Sequence, residues 1–464
     1  MTIHRLSSLW LLFATILLAT PAMAGDRAGH WVGMMDTPDG VFPLEVELHY
    51  DEGSWSADLI FPREGDFRVA AESVELADNE LSITAPGGGM SLSGMFDGDR
   101  LQGQAVNQGN VAGLQLARAG SEAAERLADK QRKAMQDLRN RPFDKVDAGP
   151  GLDKLNHDEV DALVETASGN LTSGLVLRVD GQLAGEWLRD GQSRPIEAMS
   201  VTKAVVNLIF GRLYTLGRID SLDKPVHEFF PDWSEGRQSK ITLHHLLNHT
   251  SGLDPAMPTR DLYQSGDFVR FALDAPMQAD PGTEVSYNNN APNLLAAIAE
   301  DLAGEPLDEF LAGDLFGKLG ISEFGWSRDQ AGNPHGMSGL QIHPRDLARL
   351  GQLALDRGSW NNGQLIDDEW FQWSFSLATG DARPTGVLAK REAVIGLLWF
   401  LQVDDNDGDE QVVGASHGGY LGQYLVVDFE NRLVAVRMIE SSPAYEPETD
   451  SFRDFPGYLP AMAE

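Results

Sequence analysis

The tetrapeptide Ser200-Val201-Thr202-Lys203 sets a hydroxyl and an amine three residues apart, directly before the apolar run Val205, Leu208, Ile209 and Leu213. A helix starting at Ser200 carries both side chains on one face, with the hydroxyl at the electropositive N-terminus and the amine one turn along. Serine is a weak nucleophile until a neighbouring base takes its proton, so the pair is a candidate acylation centre. The same residues also read as an ordinary helix cap followed by a solvated lysine. Two later motifs weigh against that plainer reading. Tyr287-Asn288-Asn289 follows the turn at Pro281-Gly282, and His417-Gly418-Gly419 follows an acidic turn at Asp407-Gly408. A tyrosine held near a lysine ionises more easily and can then act as general base. Asn289 offers a donor and an acceptor to an ester or amide. Gly418 and Gly419 leave room for a substrate beside a strand whose N–H groups can serve an oxyanion.

In this order, Ser-x-x-Lys, Tyr-x-Asn and His-x-Gly resemble the serine β-lactamase and penicillin-binding superfamily. The branch most similar holds class C β-lactamases, β-lactamase-type carboxylesterases, D-Ala-D-Ala peptidases and 6-aminohexanoate-dimer hydrolases. The stretch from Thr242 through His245-Leu246-Leu247 to His249-Thr250-Ser251-Gly252-Leu253 matches a signature of that family, and residues 339–351 match its G-L-x-x-x-x-x-D-L-A-R-L-G helix. The resemblance extends from about residue 155 to about residue 440. It implies that Ser200 is acylated, that Lys203 is the charge lowering the pKa of Tyr287, and that Tyr287 takes the Ser200 proton and later activates water. It further implies that Asn289, His417, Gly418 and Gly419 bind the substrate, with the backbone N–H groups of Ser200 and Tyr420 forming the oxyanion hole. His417 stands where β-lactamases use a lysine to hold the drug carboxylate. A mostly neutral histidine does this less well, which ranks an esterase above a β-lactamase.

Composition narrows the remaining classes. The 464 residues carry 36 basic and 70 acidic side chains, a formal net charge of −34, which disfavours nucleic acid and anionic membranes as partners. With no cysteine there is no disulfide and no thiolate metal site. His245 and His249 have the i, i+4 spacing of a helical metal pair, but no glutamate lies between them and no third ligand is evident. In the acidic run from Asp404 to Glu410 a calcium loop with Gly408 as its glycine would put Val403 and Gly414 at the ligand positions, so an exposed hairpin turn is expected there. No metal or other cofactor is called for. Arg5, the apolar run from Leu9 to Leu18 and Ala22-Met23-Ala24 have the form of a secretory signal peptide over residues 1–24, predicting a mature start at Gly25, a periplasmic or secreted location and no stable membrane anchor after cleavage.

The elements that must position these groups fall into two regions. Over residues 25–118, Leu44, Val46, Leu48 and Tyr50 alternate with Glu45, Glu47 and His49, and similar short runs continue between Gly and Asp turns. This predicts a small all-β barrel or sandwich. Residues 119–152 read as a charged helix followed by a linker, and residues 153–464 as the hydrolase domain. There, a helix near residues 157–167, a strand pair in 173–187 turning at Asp180-Gly181, and late strands at 395–403, 411–416, 423–428 and 433–439 flank a long helical middle. The expected fold is α/β: one antiparallel sheet flanked by helices with an all-helical lobe, and Ser200 at the seam. The expected function is a secreted serine hydrolase acting through an acyl-enzyme on a small ester or amide. Alternatives are a β-lactamase, a D-Ala-D-Ala peptidase or D-aminopeptidase, and a non-catalytic penicillin-binding-like scaffold. The sequence names no protein partner.

Overall fold

The computed structural model describes residues 26–463 apart from 38–39, 63–66, 87–89, 108–109, 258, 378, 380–381, 392, 407–408 and 441–449. The expected signal peptide, Gly25 and the tip of the acidic hairpin lie outside the described residues. The chain forms two compact units, Met1–Lys133 and Ala134–Glu464.

In the first unit nine strands form one antiparallel sheet: β1 (Gly29–Thr37), β2 (Gly40–Asp51), β3 (Ser54–Phe61), β4 (Phe67–Ala70), β5 (Ser73–Ala77), β6 (Glu80–Thr84), β7 (Met90–Asp97), β8 (Arg100–Asn107) and β9 (Asn110–Arg118). Their order is β4-β3-β2-β1-β9-β8-β7-β6-β5. Bonds from Ala71 N–H to the Ala57 carbonyl and from Glu72 N–H to the Thr84 carbonyl tie the strand ends together, so the sheet curls into a half-barrel. The period-two pattern gives this sheet one apolar face. Leu44, Val46 and Leu48 turn inward with Trp31, Leu81, Ile83, Leu92, Phe96, Leu114 and Leu116 to make an apolar core. Tyr50, expected to continue the inward series, is instead exposed and packs on Trp55 with ring centroids 4.8 Å apart.

Helix α1 (Glu122–Arg139) has the charged character its sequence predicts. The stretch expected to be a linker contains strand β10 (Phe143–Ala148), which pairs at the edge of the second sheet. Helix α2 (His157–Gly169) starts at Asn156, whose side chain accepts from the N–H groups of Asp158 and Glu159. Strands β11 (Gly174–Val179) and β12 (Gln182–Arg189) form the hairpin expected at Asp180-Gly181, both of which have positive φ. Short strands β13 (Ile196–Glu197), β14 (Phe324–Trp326) and β15 (Leu340–Ile342) make a separate three-stranded sheet. The late strands are β16 (Val394–Ile395), β17 (Phe400–Asn406), β18 (Asp409–Gly419), β19 (Gln423–Asp428) and β20 (Leu433–Met438). The main sheet runs β10-β12-β11-β20-β19-β18-β17-β16, antiparallel throughout, so early and late strands share one sheet as expected. The predicted 395–403 strand is split because Leu398 takes a φ of +59° between β16 and β17.

The helical middle holds α3 (Thr202–Thr215) and α4 (Asn290–Ala303), and α5 (Pro344–Leu355) packs on β20 and β19. From Thr202 to Leu213 every side chain of α3 is buried. A helix apolar nearly all round has no solvent face and must lie inside a core. Its one interior amide, Asn207, donates to Ser374 Oγ at 2.9 Å and accepts from Trp370 Nε1 at 3.3 Å.

Candidate active site

Ser200 does not start the α-helix. It sits in a 3₁₀ turn, Met199–Val201, and α3 begins two residues later at Thr202. Met199 has a φ of +48°, a strained value for a non-glycine residue, so Ser200 follows a forced turn. Lys203 remains one turn along, on the same side, with Nζ 3.2 Å from Ser200 Oγ. Its side chain is wholly buried, which rules out a solvated lysine. Nζ also donates to the Met337 carbonyl at 2.9 Å and lies over the face of the Tyr287 ring, 4.9 Å from its centroid. Burial disfavours the ammonium form and brings the Lys203 pKa down to about 7.

The Tyr-x-Asn segment is fastened from behind. Asn288 donates to the Leu253 carbonyl at 3.0 Å, and its Oδ1 accepts from Ala291 N–H at 2.9 Å at the start of α4. His249 Nδ1 accepts from Asn288 N–H at 3.2 Å, while its ring packs on Tyr287 with centroids 5.1 Å apart. Asn289 is almost entirely buried, and its Nδ2 lies 3.0 Å from Met257 Sδ.

His417 is buried, its ring against Phe400 at 5.2 Å and Tyr287 at 6.3 Å. Nδ1 lies 2.8 Å from the Gly418 carbonyl, and since a carbonyl only accepts, Nδ1 carries the proton. Burial, and then the nearby Lys203, push its pKa down to about 3. Burial, Lys203 and His417 hold His249 well below the usual imidazole range in the same way. Both histidines are neutral, so the centre contains two uncharged imidazoles around one titrating amine.

Gly419 has a structural reason to be glycine. A Cβ there would stand 2.9 Å from the Ala198 carbonyl oxygen and 3.0 Å from Met199 Cβ, so its absence lets the end of β18 lie against the turn that carries Ser200. A Cβ on Gly418 would reach 3.0 Å from the Tyr424 ring. Tyr420 follows in a short 3₁₀ turn that contacts the Met199–Val201 turn. The structure thus brings Ser200, Lys203, Tyr287, His417, Gly418, Gly419 and Tyr420 around one centre, with Asn289 at the start of α4.

Sequence reasoning missed the residues that hold the lysine acceptor in place. Asn293 Oδ1 accepts from the N–H groups of Gly336 and Met337 at 2.9 and 3.1 Å. Glu197 Oε1 accepts from Gly339 N–H at 3.2 Å, and Thr202 Oγ1 from Leu340 N–H at 3.3 Å. Together they pin residues 336–340, and with them the Met337 carbonyl that receives Lys203. The spacing of His245 and His249 also misleads as helical geometry. Their helix, Leu243–Leu247, ends before His249, which has a φ of +61°. His245 caps that helix through Thr242, whereas His249 serves the Tyr287 segment.

The family model for β-lactamases matches residues 192–454, more than half of the chain and all of the groups above. This chain belongs to the β-lactamase family. Over 148 residues it is 30% identical to esterase EstB of Burkholderia gladioli, covering 27% of this chain and 37% of that protein. Over 203 residues it is 27% identical to 6-aminohexanoate-dimer hydrolase of Paenarthrobacter ureafaciens, covering 40% of this chain and 51% of that one. The matches therefore span between about a third and a half of these relatives' lengths. A solved structure of a candidate β-lactamase from Bacteroides dorei superposes with a TM-score of 0.57 at 18% identity, over 67% of this chain and 99% of that one, which shows the shared fold. Among the described residues no helix is long and apolar enough to cross a membrane.

Proposed function

We propose that this β-lactamase-family protein is a serine hydrolase that forms an acyl-enzyme at Ser200 and acts first on small esters. The observation that carries the reading is a wholly buried Lys203 amine 3.2 Å from the Ser200 hydroxyl, with a pKa brought to about 7. At neutral pH a large share of such lysines is uncharged and able to accept a proton. Ser200 Oγ attacks the substrate carbonyl carbon as its proton passes to Lys203 Nζ. The N–H groups of Ser200 and Tyr420 receive the oxyanion, and Asn289 orients the substrate carbonyl. Collapse of the tetrahedral species expels an alcohol, which leaves with the proton held by the Lys203–Tyr287 pair. Water activated by the same pair then frees the acid.

A second reading makes Tyr287 the first proton acceptor, with Lys203 favouring its phenolate. The contact of Lys203 Nζ with the Tyr287 ring supports a shared proton-transfer unit. Esters rank above β-lactams and peptides because neutral His417 gives a substrate carboxylate no countercharge. Resemblance to esterase EstB agrees with that ranking, while the aminohexanoate-dimer hydrolase keeps small amides as the next substrates to test. We place the activity in the periplasm or outside the cell on the form of residues 1–24, and N-terminal sequencing of the processed protein should begin at Gly25.

The direct test is labelling with a fluorophosphonate, followed by peptide mass spectrometry. A single adduct on the Ser200 peptide, absent from Ser200→Ala, is expected. Equal labelling of Ser200→Ala would remove the nucleophile assignment.

A further inference from the structure

Several large apolar side chains of the second unit face solvent, among them Val146, Leu216, Leu377 and Val387. Among its described residues, those at least half exposed are Met257 at 51%, Tyr263 at 50% and Tyr420 at 58%. Each is linked through a neighbouring residue to the groups around Ser200. Met257 Sδ takes the Asn289 side-chain donor at 3.0 Å. Tyr263 shares a hydrogen bond of 3.1 Å with Ser338 Oγ, next to the Met337 carbonyl that receives Lys203. Tyr420 directly follows Gly419, the residue that lies against Ala198 and Met199. The three most exposed of them therefore flank the residues around Ser200, where apolar surface beside a polar centre can serve recognition.

We propose that Met257, Tyr263 and Tyr420 form the substrate rim of this site and select an uncharged ester with an extended apolar acyl chain over one carrying a free carboxylate. The inference rests on the serine-hydrolase reading and names its substrate class. The rim supplies apolar and aromatic surface, and charge works against an anionic substrate in three ways. His417 is neutral. Lys203 is buried and engaged by Ser200 and Met337. Arg270, on the neighbouring Phe268–Leu273 helix, is held by Asp232 and Asp274. The net charge of −34 adds long-range repulsion. A thioether is a soft, weak acceptor on an adaptable side chain. A substrate carbonyl displaces it from Asn289 Nδ2, and the freed Met257 packs on the acyl chain.

The experiment uses the full-length protein with p-nitrophenyl acetate, p-nitrophenyl hexanoate and mono-p-nitrophenyl adipate, the last being a hexanoate-length acyl chain ending in a carboxylate. Fluorophosphonate labelling of Ser200 runs in parallel. Wild-type kcat/KM should favour hexanoate over adipate by about tenfold or more, an effect that shrinks as salt is raised. In the triple variant Met257→Ala/Tyr263→Ala/Tyr420→Ala the hexanoate-to-acetate ratio should fall about tenfold, mostly through KM, as expected for losing contact with a few methylenes. Met257→Leu, which keeps apolar bulk, should retain the ratio and so shows that the rim acts through its surface. Normal labelling with adipate equal to or better than hexanoate, or with an unchanged ratio in the triple variant, would overturn the rim while leaving the hydrolase reading intact. Absence of Ser200 labelling in the wild type would overturn both.

Discussion

The two units bury different things. Among the described residues of the half-barrel, every fully buried side chain in the core is apolar, from Trp31 and Leu44 to Leu116. The second unit buries Lys203, His249, His417, Asn288, Asn289, Asn293 and Arg437. Buried polar groups are costly unless they are partnered, so their concentration marks where the chain gives up stability for another purpose. Arg437 shows how such a group is made architectural. It pairs with Asp450 at 2.8 Å and donates to Thr172 Oγ1 at 2.9 Å, tying β20 to neighbouring segments. Among the described residues Lys203 meets a carbonyl, a hydroxyl and a ring face and pairs with no carboxylate, and its pKa falls to about 7. A cation without a carboxylate is poor architecture and a usable base.

Lys203→Met should sharpen the contrast most. Acylation should fall by about 100-fold to 10,000-fold, the usual size of a general-base contribution. Chemical denaturation should at the same time show a more stable protein. The free amine has a pKa of 10.5 and the folded one about 7, so wild-type stability rises with pH between those values as the burial penalty is relieved. The variant should lose that slope, and a variant less stable than wild type at pH 7 would break the account.

The half-barrel should behave in the opposite way. Leu44→Ala, at a fully buried core position of β2, should lower stability by about 2–5 kcal/mol. The acylation rate per labelled site should stay that of wild type. A loss of rate in protein that remains folded would mean that the first unit takes part in the chemistry.

The smallest effect concerns the neutral histidines. Unfolded histidine binds a proton near pH 6.5, while folded His417 resists until about pH 3 and His249 is lowered likewise. Their contribution is fully present above about pH 6.5 and is lost as pH falls through that window. His417→Gln should flatten the fall in urea midpoint between pH 6.5 and 4. A slope as steep as wild type would show that His417 is not the titrating group.

Much of this was readable from residue order. The hydroxyl–amine spacing, the period-two pattern of β2 and the Asp180-Gly181 hairpin are local signals, written by the residues that use them. The Met337 carbonyl that receives Lys203 is a backbone atom from a segment 134 residues away, so no side-chain type announces it. The residues pinning it, Asn293, Glu197 and Thr202, look like ordinary polar positions until the fold brings them together. His249 carried a misleading local signal because its spacing from His245 assumes a helix that has already ended. The 3₁₀ turn at Ser200 lies against Gly419, more than two hundred residues on, a neighbour that no local pattern around Ser200 announces.

The central claim is that buried Lys203 is the group that takes the Ser200 proton, and the pH dependence of acylation tests it most directly. Stopped-flow bursts with p-nitrophenyl hexanoate should give a wild-type acylation rate that rises through about pH 7 to a plateau as Lys203 loses its proton. In Tyr287→Phe the plateau is expected to be lower, with the same midpoint retained. Disappearance of the limb near pH 7 in Tyr287→Phe, with Lys203 still in place, would contradict the account and make Tyr287 the base.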